Sequence, residues 1–354
     1  MEKLKIGIIG VGGISEVHIA GYLADERCEL YAFCDINEKT LKAKGEKYGI
    51  TRLFTDKDEM LAACPEIDAV SVCTWNSAHA ECSIAALNAG KNVLCEKPMA
   101  MNTEQALAME KAAKDNNKLL MIGFVRRFGT DCDVVKEFVD KGDFGDIYYA
   151  KASYLRRCGA PSGWFGDKAR SGGGPMIDLG VHVIDLARYI AGGPKPVSVF
   201  GATFHKLGDR GHVKLQTTWI SADMKRDAFD VEDFAAAMIR FDNGMVLNVE
   251  TSFSLNIKKE TATVELFGTK AGAVLDPEVE IFSENHGYLT NLTFNANTTF
   301  GDLADVFKRE TSHFLTCILD PSVECRNPAK DGVLLMQILD AIYESARTGH
   351  EVTI

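Results

Sequence analysis

A two-domain α/β chain is predicted: an N-terminal doubly wound parallel sheet, then an α+β domain with a large, mostly antiparallel open sheet. Three observations carry the prediction. The apolar run Leu4–Ile9 passes straight into Gly10-Val11-Gly12-Gly13 and a helical pattern. Apolar strands then alternate with amphipathic helices as far as Val125, as βαβ units require. Past Phe128 the pattern shifts to long alternating strands joined by turns such as Asp242-Asn243-Gly244. The boundary falls at 124/125, giving domains 1–124 and 125–354.

The 354 residues are enough for two domains, and 46% hydrophobic with 25% charged residues is ordinary for a globular protein. A net charge of −11 argues against a nucleic-acid or anionic-membrane partner. No run of apolar residues is long enough to span a bilayer. The first strand begins so early that no signal peptide is expected. The ten cysteines contain no CxxC pair, and Cys73 and Cys95 sit inside apolar strands. Reduced thiols in a cytoplasmic protein are therefore expected, rather than disulfides or a zinc site.

In chain order, the first strand and its glycine turn come before a helix reaching about Ala24. This is the context in which Gly10 permits a tight turn and Gly12 admits a pyrophosphate. The helix start adds amide donors and a positive dipole. Gly10, Gly12, Gly13 and Ile14 are the expected cradle, with Ser15 standing where a third glycine is usual. The next strand, Glu29–Cys34, ends in Asp35. A carboxylate there accepts from ribose hydroxyls and repels a 2′-phosphate, which favours NAD over NADP. Asn37 starts a helix to about Tyr48.

Ala69–Thr74 is an apolar strand ending in Trp75-Asn76, followed by a helix that Ser77 can cap and Gly90 ends. His79 in its first turn reads equally as a ligand and as a residue bonded to backbone. The stretch Asn92–Pro98 is a short buried strand that delivers Glu96 and Lys97 at its carboxyl end. Ligands of open α/β sheets sit beyond that edge. Pro98 keeps Lys97 extended, and the Lys97–Pro98 bond is one where cis is accessible. Asn102 and Gln105 suit a capping box for a helix to Asn116, and Leu119–Val125 closes the sheet.

In the second half, a helix over 130–141 leads to the strand Ile147–Leu155. The glycine-rich loop 156–174 follows, carrying Trp164-Phe165, and a loop of that length is usually functional. Trp164 suits stacking on a sugar face as well as plugging the core. From Pro175 to Ile190 a helix presents Asp178, His182, Asp185 and Tyr189 as one polar stripe. An Asp one turn from a His fixes its tautomer. A metal is not expected, because no third ligand follows at a recognisable spacing. Strands 197–204, 232–241, 246–253, 261–267, 273–275 and 278–283 form the open sheet. Several are apolar on both sides, which predicts a homo-oligomer, dimer or tetramer, packed through that sheet. Helices over 302–319 and 329–348 and a strand at 352–354 complete the chain.

Together these residues resemble the Gfo/Idh/MocA family of sugar and polyol oxidoreductases. The motifs fall in family order: GIIGVGGIS at 7–15, Asp35, TWNSAH at 74–79, CEKP at 95–98, GFVRRF at 123–128 and GGGPMIDLGVHVIDLARYIAG at 172–192. The resemblance implies an NAD-binding Rossmann domain contacted by Gly10, Gly12, Gly13, Ile14, Asp35, Thr74, Trp75, Asn76, His79, Glu96 and Lys97. It further implies that Lys97, Asp178 and His182 surround the substrate carbon facing the nicotinamide, with Arg126, Arg127 and Trp164 near the sugar. Trp75 replaces the family's usual proline. The expected reaction is hydride transfer from a ring hydroxyl carbon of a sugar or cyclitol, similar to inositol 2-dehydrogenase. Two alternatives are a redox-neutral sugar-converting enzyme with tightly held NAD and a non-catalytic NAD or sugar sensor. Substrate choice is expected to lie in loops 156–174 and 205–229.

Overall fold

A computed structural model describes residues 2–214, 228–275 and 277–354; the 215–227 part of the second specificity loop lies outside the described residues. In chain order the elements begin β1 (Leu4–Ile9), α1 (Ser15–Leu23), β2 (Cys28–Cys34), α2 (Glu38–Tyr48), β3 (Leu53–Phe54) and α3 (Lys57–Ala63). They continue with β4 (Ala69–Val72), α4 (Asn76–Asn88), β5 (Asn92–Glu96), α5 (Thr103–Asp115), β6 (Leu120–Gly123), α6 (Thr130–Asp140) and β7 (Ile147–Leu155). Next are α7 (Lys168–Ser171), α8 (Val181–Ile190), β8 (Pro196–Phe204), β9 (Phe234–Phe241), β10 (Val246–Ser252), β11 (Thr261–Gly268) and β12 (Ala271–Leu275). The chain closes with β13 (Glu280–Asn285), β14 (Tyr288–Thr293), α9 (Leu303–Leu319), α10 (Ala329–Thr348) and β15 (Val352–Thr353).

Two compact units emerge: Met1–Val125 with Asp302–Met336, and Arg126–Gly301 with Gln337–Ile354. The first holds a six-stranded parallel sheet in the order β3-β2-β1-β4-β5-β6. Its order reverses between β1 and β4, where such sheets form a ligand crevice. The segment 302–336, placed by sequence in the second domain, belongs here instead. The reason is packing: α9 lies so close on α1 that a Cβ at Gly21 would sit 2.3 Å from Thr311 Oγ1. Arg27, just after α1, donates to Ser312 Oγ and Thr316 Oγ1, each at 2.8 Å. The pair β3 and α3 was missed, because a two-residue strand has no periodicity to read.

The caps are mostly those the residues call for. Asn37 and Asn102 accept from Thr40 N and Gln105 N at 3.1 and 2.9 Å. Gln105 reaches back to Met101 N rather than to its own cap residue. Helix α4 is the exception: it starts at Asn76 with Trp75 in the cap position and no side-chain cap, so Ser77 lies inside the helix.

The second unit is built on a nine-stranded sheet, β14-β13-β12-β11-β7-β10-β9-β8-β15. It is antiparallel except at its centre, where β10 runs parallel to β7. The Asp242-Asn243-Gly244 turn joins β9 to β10, with Gly244 at φ 87° where an L side chain is disfavoured. Leu247 and Val249 of β10 face the core, as do Ala150 and Ala152 of β7. On β7, β8 and β9 respectively, Tyr148, Phe200 and Met238 stay half exposed, with Phe200 directly opposite Met238. β14 escaped the sequence reading because its Leu289 and Leu292 are exposed rather than alternating into a core.

Candidate active site

In the first unit, the turn after β1 forms as its glycines dictate. Gly10 sits at φ 85°, and a Cβ there would meet the Cys73 carbonyl at 2.7 Å. This contact locks the β1 turn against the end of β4 at the switch point. Gly12 and Gly13 differ: an added Cβ at either would meet nothing within 4 Å, so their backbone borders open space. Ser15 fills the third glycine position without strain, because its buried hydroxyl donates to Gly12 O at 2.7 Å. Asp35 joins the same cradle, its Oδ2 accepting from Val11 N and its Oδ1 from Asn37 N, each at 2.8 Å. Each oxygen keeps a second lone pair for a ribose hydroxyl. The open glycine backbone, the α1 start and this half-buried carboxylate fit an NAD-type dinucleotide.

Beside the cradle, β4 and β5 deliver the second group. Thr74 and Trp75 are half buried and Asn76 is buried at the α4 start. His79 is fully enclosed, with Nδ1 2.7 Å from Pro98 O and Nε2 3.2 Å from Thr74 O. Burial pushes this imidazole below its ordinary value despite those carbonyls, so the neutral ring donates from Nδ1. Both ring nitrogens thus face backbone, and His79 ties the β4 end to the Lys97–Pro98 turn. That peptide bond is cis.

Glu96 turns inward. Its Oε1 accepts from His18 Nε2 at 2.8 Å, and its Oε2 accepts the Lys97 amide at 3.2 Å. His18 also meets Ser71, which is bonded to Tyr22, so α1, β4 and β5 share one buried network. Burial opposes ionisation of Glu96, but the His18 hydrogen bond and nearby positive charge outweigh it and hold the carboxyl below its usual value. A second buried carboxyl, Glu310 of α9, is pushed well up by burial and then by the Glu96 charge. The two buried carboxyls are thus pushed in opposite directions. Lys97 itself is half buried at the carboxyl edge of the sheet.

The second unit supplies the other predicted residues. Asp178 lies in a π-helical turn, Met176–Gly180, that feeds into α8 and its His182. Such wide turns are rare and concentrate at functional sites. Gly180 packs closely there, since a Cβ would come 2.6 Å from Met176 Sδ and 3.4 Å from Thr251 Cγ2 on β10. Asp178 and His182 remain half exposed. The rest of the predicted stripe is structural: buried Asp185 accepts from Arg127 Nε at 2.9 Å and from its Nη2 at 2.6 Å. The Arg127 guanidinium also lies 4.4 Å from the Tyr189 ring centre. Asp185 and Tyr189 thus hold the arginine rather than line a cavity.

This pairing separates the two arginines that the sequence left equivalent. Arg127 is 0% exposed, with its guanidinium committed to Asp185. Arg126 is partly open, pairs with Asp131 at 2.8 Å and lies over Phe300, while its buried Nε has no hydrogen-bond partner among the described residues. Trp164 stacks on Phe165, ring centres 4.1 Å apart, on the short helical turn Gly163–Gly166.

Glu232 was missed by the sequence reading. Fully enclosed, it accepts from Gly174 N at 2.9 Å, Met176 N at 3.2 Å and Tyr343 Oη at 2.8 Å. It thereby fixes the entry to the π-helical turn. Burial lifts its pKa above the ordinary value in spite of those donors. An acidic residue at the head of an otherwise apolar strand was the available signal.

Comparison with known proteins agrees with this construction. Residues 4–124 match the family model described as an oxidoreductase family with an NAD-binding Rossmann fold, and residues 133–274 match the GFO/IDH/MocA C-terminal domain. The chain is 37% identical over 359 residues to D-glucoside 3-dehydrogenase of Escherichia coli, covering 100% of this chain and 98% of that protein. It is 34% identical over 189 residues to myo-inositol 2-dehydrogenase of Thermotoga maritima, covering 53% of this chain and 55% of that one. Among solved structures, levoglucosan dehydrogenase in complex with NADH superposes with a TM-score of 0.86 at 24% identity, over 100% of this chain and 99% of that one, a likeness of fold. The cradle on β1 and the lysine turn after β5 lie within the first matched region and the π-helical Asp–His segment within the second, and the chain belongs to the Gfo/Idh/MocA oxidoreductases, with an NAD-binding Rossmann domain at its N-terminus.

Proposed function

We propose that this oxidoreductase oxidises a ring secondary hydroxyl of a sugar or cyclitol, with NAD preferred over NADP. The full-length similarity to a D-glucoside 3-dehydrogenase carries the substrate class. Bound nicotinamide supplies the hydride acceptor. His182 takes the hydroxyl proton as general base, and Asp178 holds its tautomer. Lys97 donates to the same oxygen and stabilises its developing negative charge. Of the arginines, Arg126 is the one assigned to the sugar, because Arg127 is spent on Asp185. Asp35 supports the NAD preference by its carboxylate at the ribose position. Met replacing Lys97, or Ala replacing His182, is expected to lower kcat about 10²- to 10⁴-fold with NAD binding retained. Near-normal turnover of a glucoside in either variant rejects the assignment, and faster initial rates with NADP reject the cofactor preference.

A second reading has the cofactor stay bound while the sugar is oxidised and reduced in turn. It is supported by the 26% identity and TM-score of 0.79 to an aldose-aldose oxidoreductase from Caulobacter crescentus, over 100% of both chains. NADH released once per turnover removes it; cofactor that survives dialysis and never appears free supports it. The exposed Tyr148, Phe200 and Met238 support pairing of two copies through the nine-stranded sheet, which light scattering at micromolar concentration tests. Among the described residues no helix is long and apolar enough to cross a membrane. The free thiols, eight of ten of them buried, support a cytoplasmic setting.

A further inference from the structure

The first unit holds a cluster that the redox reading above does not use. His313 and Cys317 stand one turn apart on α9, so their side chains share a face. Cys325 returns to them from the loop that follows. The imidazole nitrogen and the two sulfurs all lie within 4.8 Å of one another. A tetrahedral zinc with bonds of about 2.3 Å to sulfur and about 2.0 Å to nitrogen separates the two donors by roughly 3.5 Å. Cys317 Sγ and His313 Nε2 are 3.4 Å apart.

The loop is held on both sides of Cys325. Before it, Val323 N donates to Asp320 O at 3.1 Å; after it, Asn327 O accepts from Ile122 N of β6 at 3.0 Å. Asn327 also donates to Glu310 Oε1 of α9 at 3.1 Å. Cys325 is thus brought to α9 by backbone bonds independent of its own sulfur. Arg326 N donates to His313 Nε2 at 2.9 Å, so that amide holds the Nε2 lone pair while no metal is bound. An entering metal takes over that lone pair, and the Arg326 amide turns aside. Cys317 is buried while His313 and Cys325 are half buried, so the cluster is reachable from solvent.

We infer that His313, Cys317 and Cys325 bind a zinc-class divalent cation as a Cys₂His site with a fourth position left for water, stapling the 320–328 loop to α9. The site lies on α9 and the loop after it, none of its residues has a role in the hydride-transfer reading, and it is independent of that reading. The ligands are spaced along the chain by four and eight residues, so no CxxC-like signature announces them.

The test uses the full-length chain, reduced and stripped of metal by a chelator, then titrated with Zn²⁺ against a colorimetric competitor. One equivalent is expected to bind at least tenfold tighter than to Cys317→Ser or Cys325→Ala. Co²⁺ in place of Zn²⁺ is expected to show thiolate charge-transfer and tetrahedral ligand-field bands that both variants lack. Zinc is expected to raise the melting temperature of the parent chain and leave that of Cys325→Ala unmoved. The Cys325 change lies in a half-buried loop and guards against misfolding of the Cys317 variant. Equal zinc affinity in parent and variants overturns the proposal. So does a Cys317–Cys325 disulfide that forms in air while the reduced chain takes up no metal.

Discussion

Two buried glutamates, one in each unit, hold the two segments that carry the proposed catalytic side chains, and they do so by opposite electrostatics. Glu96 sits under Lys97 and faces the His18 ring; its pKa is depressed, so it works as a charge. Glu232 sits under the π-helical turn before His182 and faces two amides and a phenol; burial raises its pKa. The difference follows from partners. A buried carboxylate keeps its charge where an imidazole and other positive charge answer it, and loses part of that preference where only neutral donors do. The unit that carries the lysine is thus tuned by charge, whereas the unit that carries the histidine is tuned by hydrogen-bond geometry.

The sharpest way to break this contrast is Glu96→Ala. Removing the acceptor of these buried, charge-assisted hydrogen bonds leaves His18 Nε2 and the Lys97 amide unsatisfied, and about 3 kcal/mol of stability is expected to be lost by chemical denaturation. A loss below about 1 kcal/mol means the Glu96 carboxylate does not hold the His18 ring. Glu232→Ala comes next: it leaves two amides and the Tyr343 hydroxyl without their acceptor, at about 1–3 kcal/mol for the first unsatisfied group. Its kcat should fall more than its KM rises, because the turn shifts while substrate contacts survive. Glu232→Gln should be milder, under about 1.5 kcal/mol, since a neutral acceptor of the same shape keeps most of the contacts. Glutamine at 96 should cost more than glutamine at 232; the reverse order refutes the comparison.

The pH responses give the finest test. The folded pKa of Glu232 lies above its unfolded value, so the stability it lends is greatest in acid and falls as pH rises from the ordinary glutamate value through the raised one. Glu96 is depressed, so its contribution is present above the ordinary value and is lost as pH falls through the lowered one. Melting curves of the parent chain minus each glutamine variant should therefore slope in opposite directions on opposite sides of the ordinary glutamate value. Parallel slopes would sink the distinction.

Much of this was legible beforehand because the features were local. A glycine turn after an apolar strand, an Asp at the next strand end and a Lys-Pro at a third are each set by a few neighbouring residues. Long-range pairings left no such trace. Nothing between positions 127 and 185 says that this arginine and this aspartate find each other, so Asp185 and Tyr189 looked like cavity lining. The polar stripe was drawn on an α-helical wheel, while the chain widens into a π turn over Met176–Gly180, close against Thr251 of β10. The Ser77 cap failed because Trp75 already occupies the cap position one residue before α4. His79 looked equally able to bind a ligand, yet its two backbone carbonyls come from turns nineteen and five residues away in sequence.

The first unit is made in two instalments, since α9 and the loop to Met336 belong to it. A nascent chain that has only just finished β6 therefore shows a bare α1, with Gly21 and the His18 ring uncovered on the side that Thr311 and Phe307 later occupy. At ribosomal speed the missing helix arrives on the order of 10 to 30 seconds later. During that interval the nucleotide half is an unfinished surface, and an expression fragment ending near residue 125 would keep it so for good.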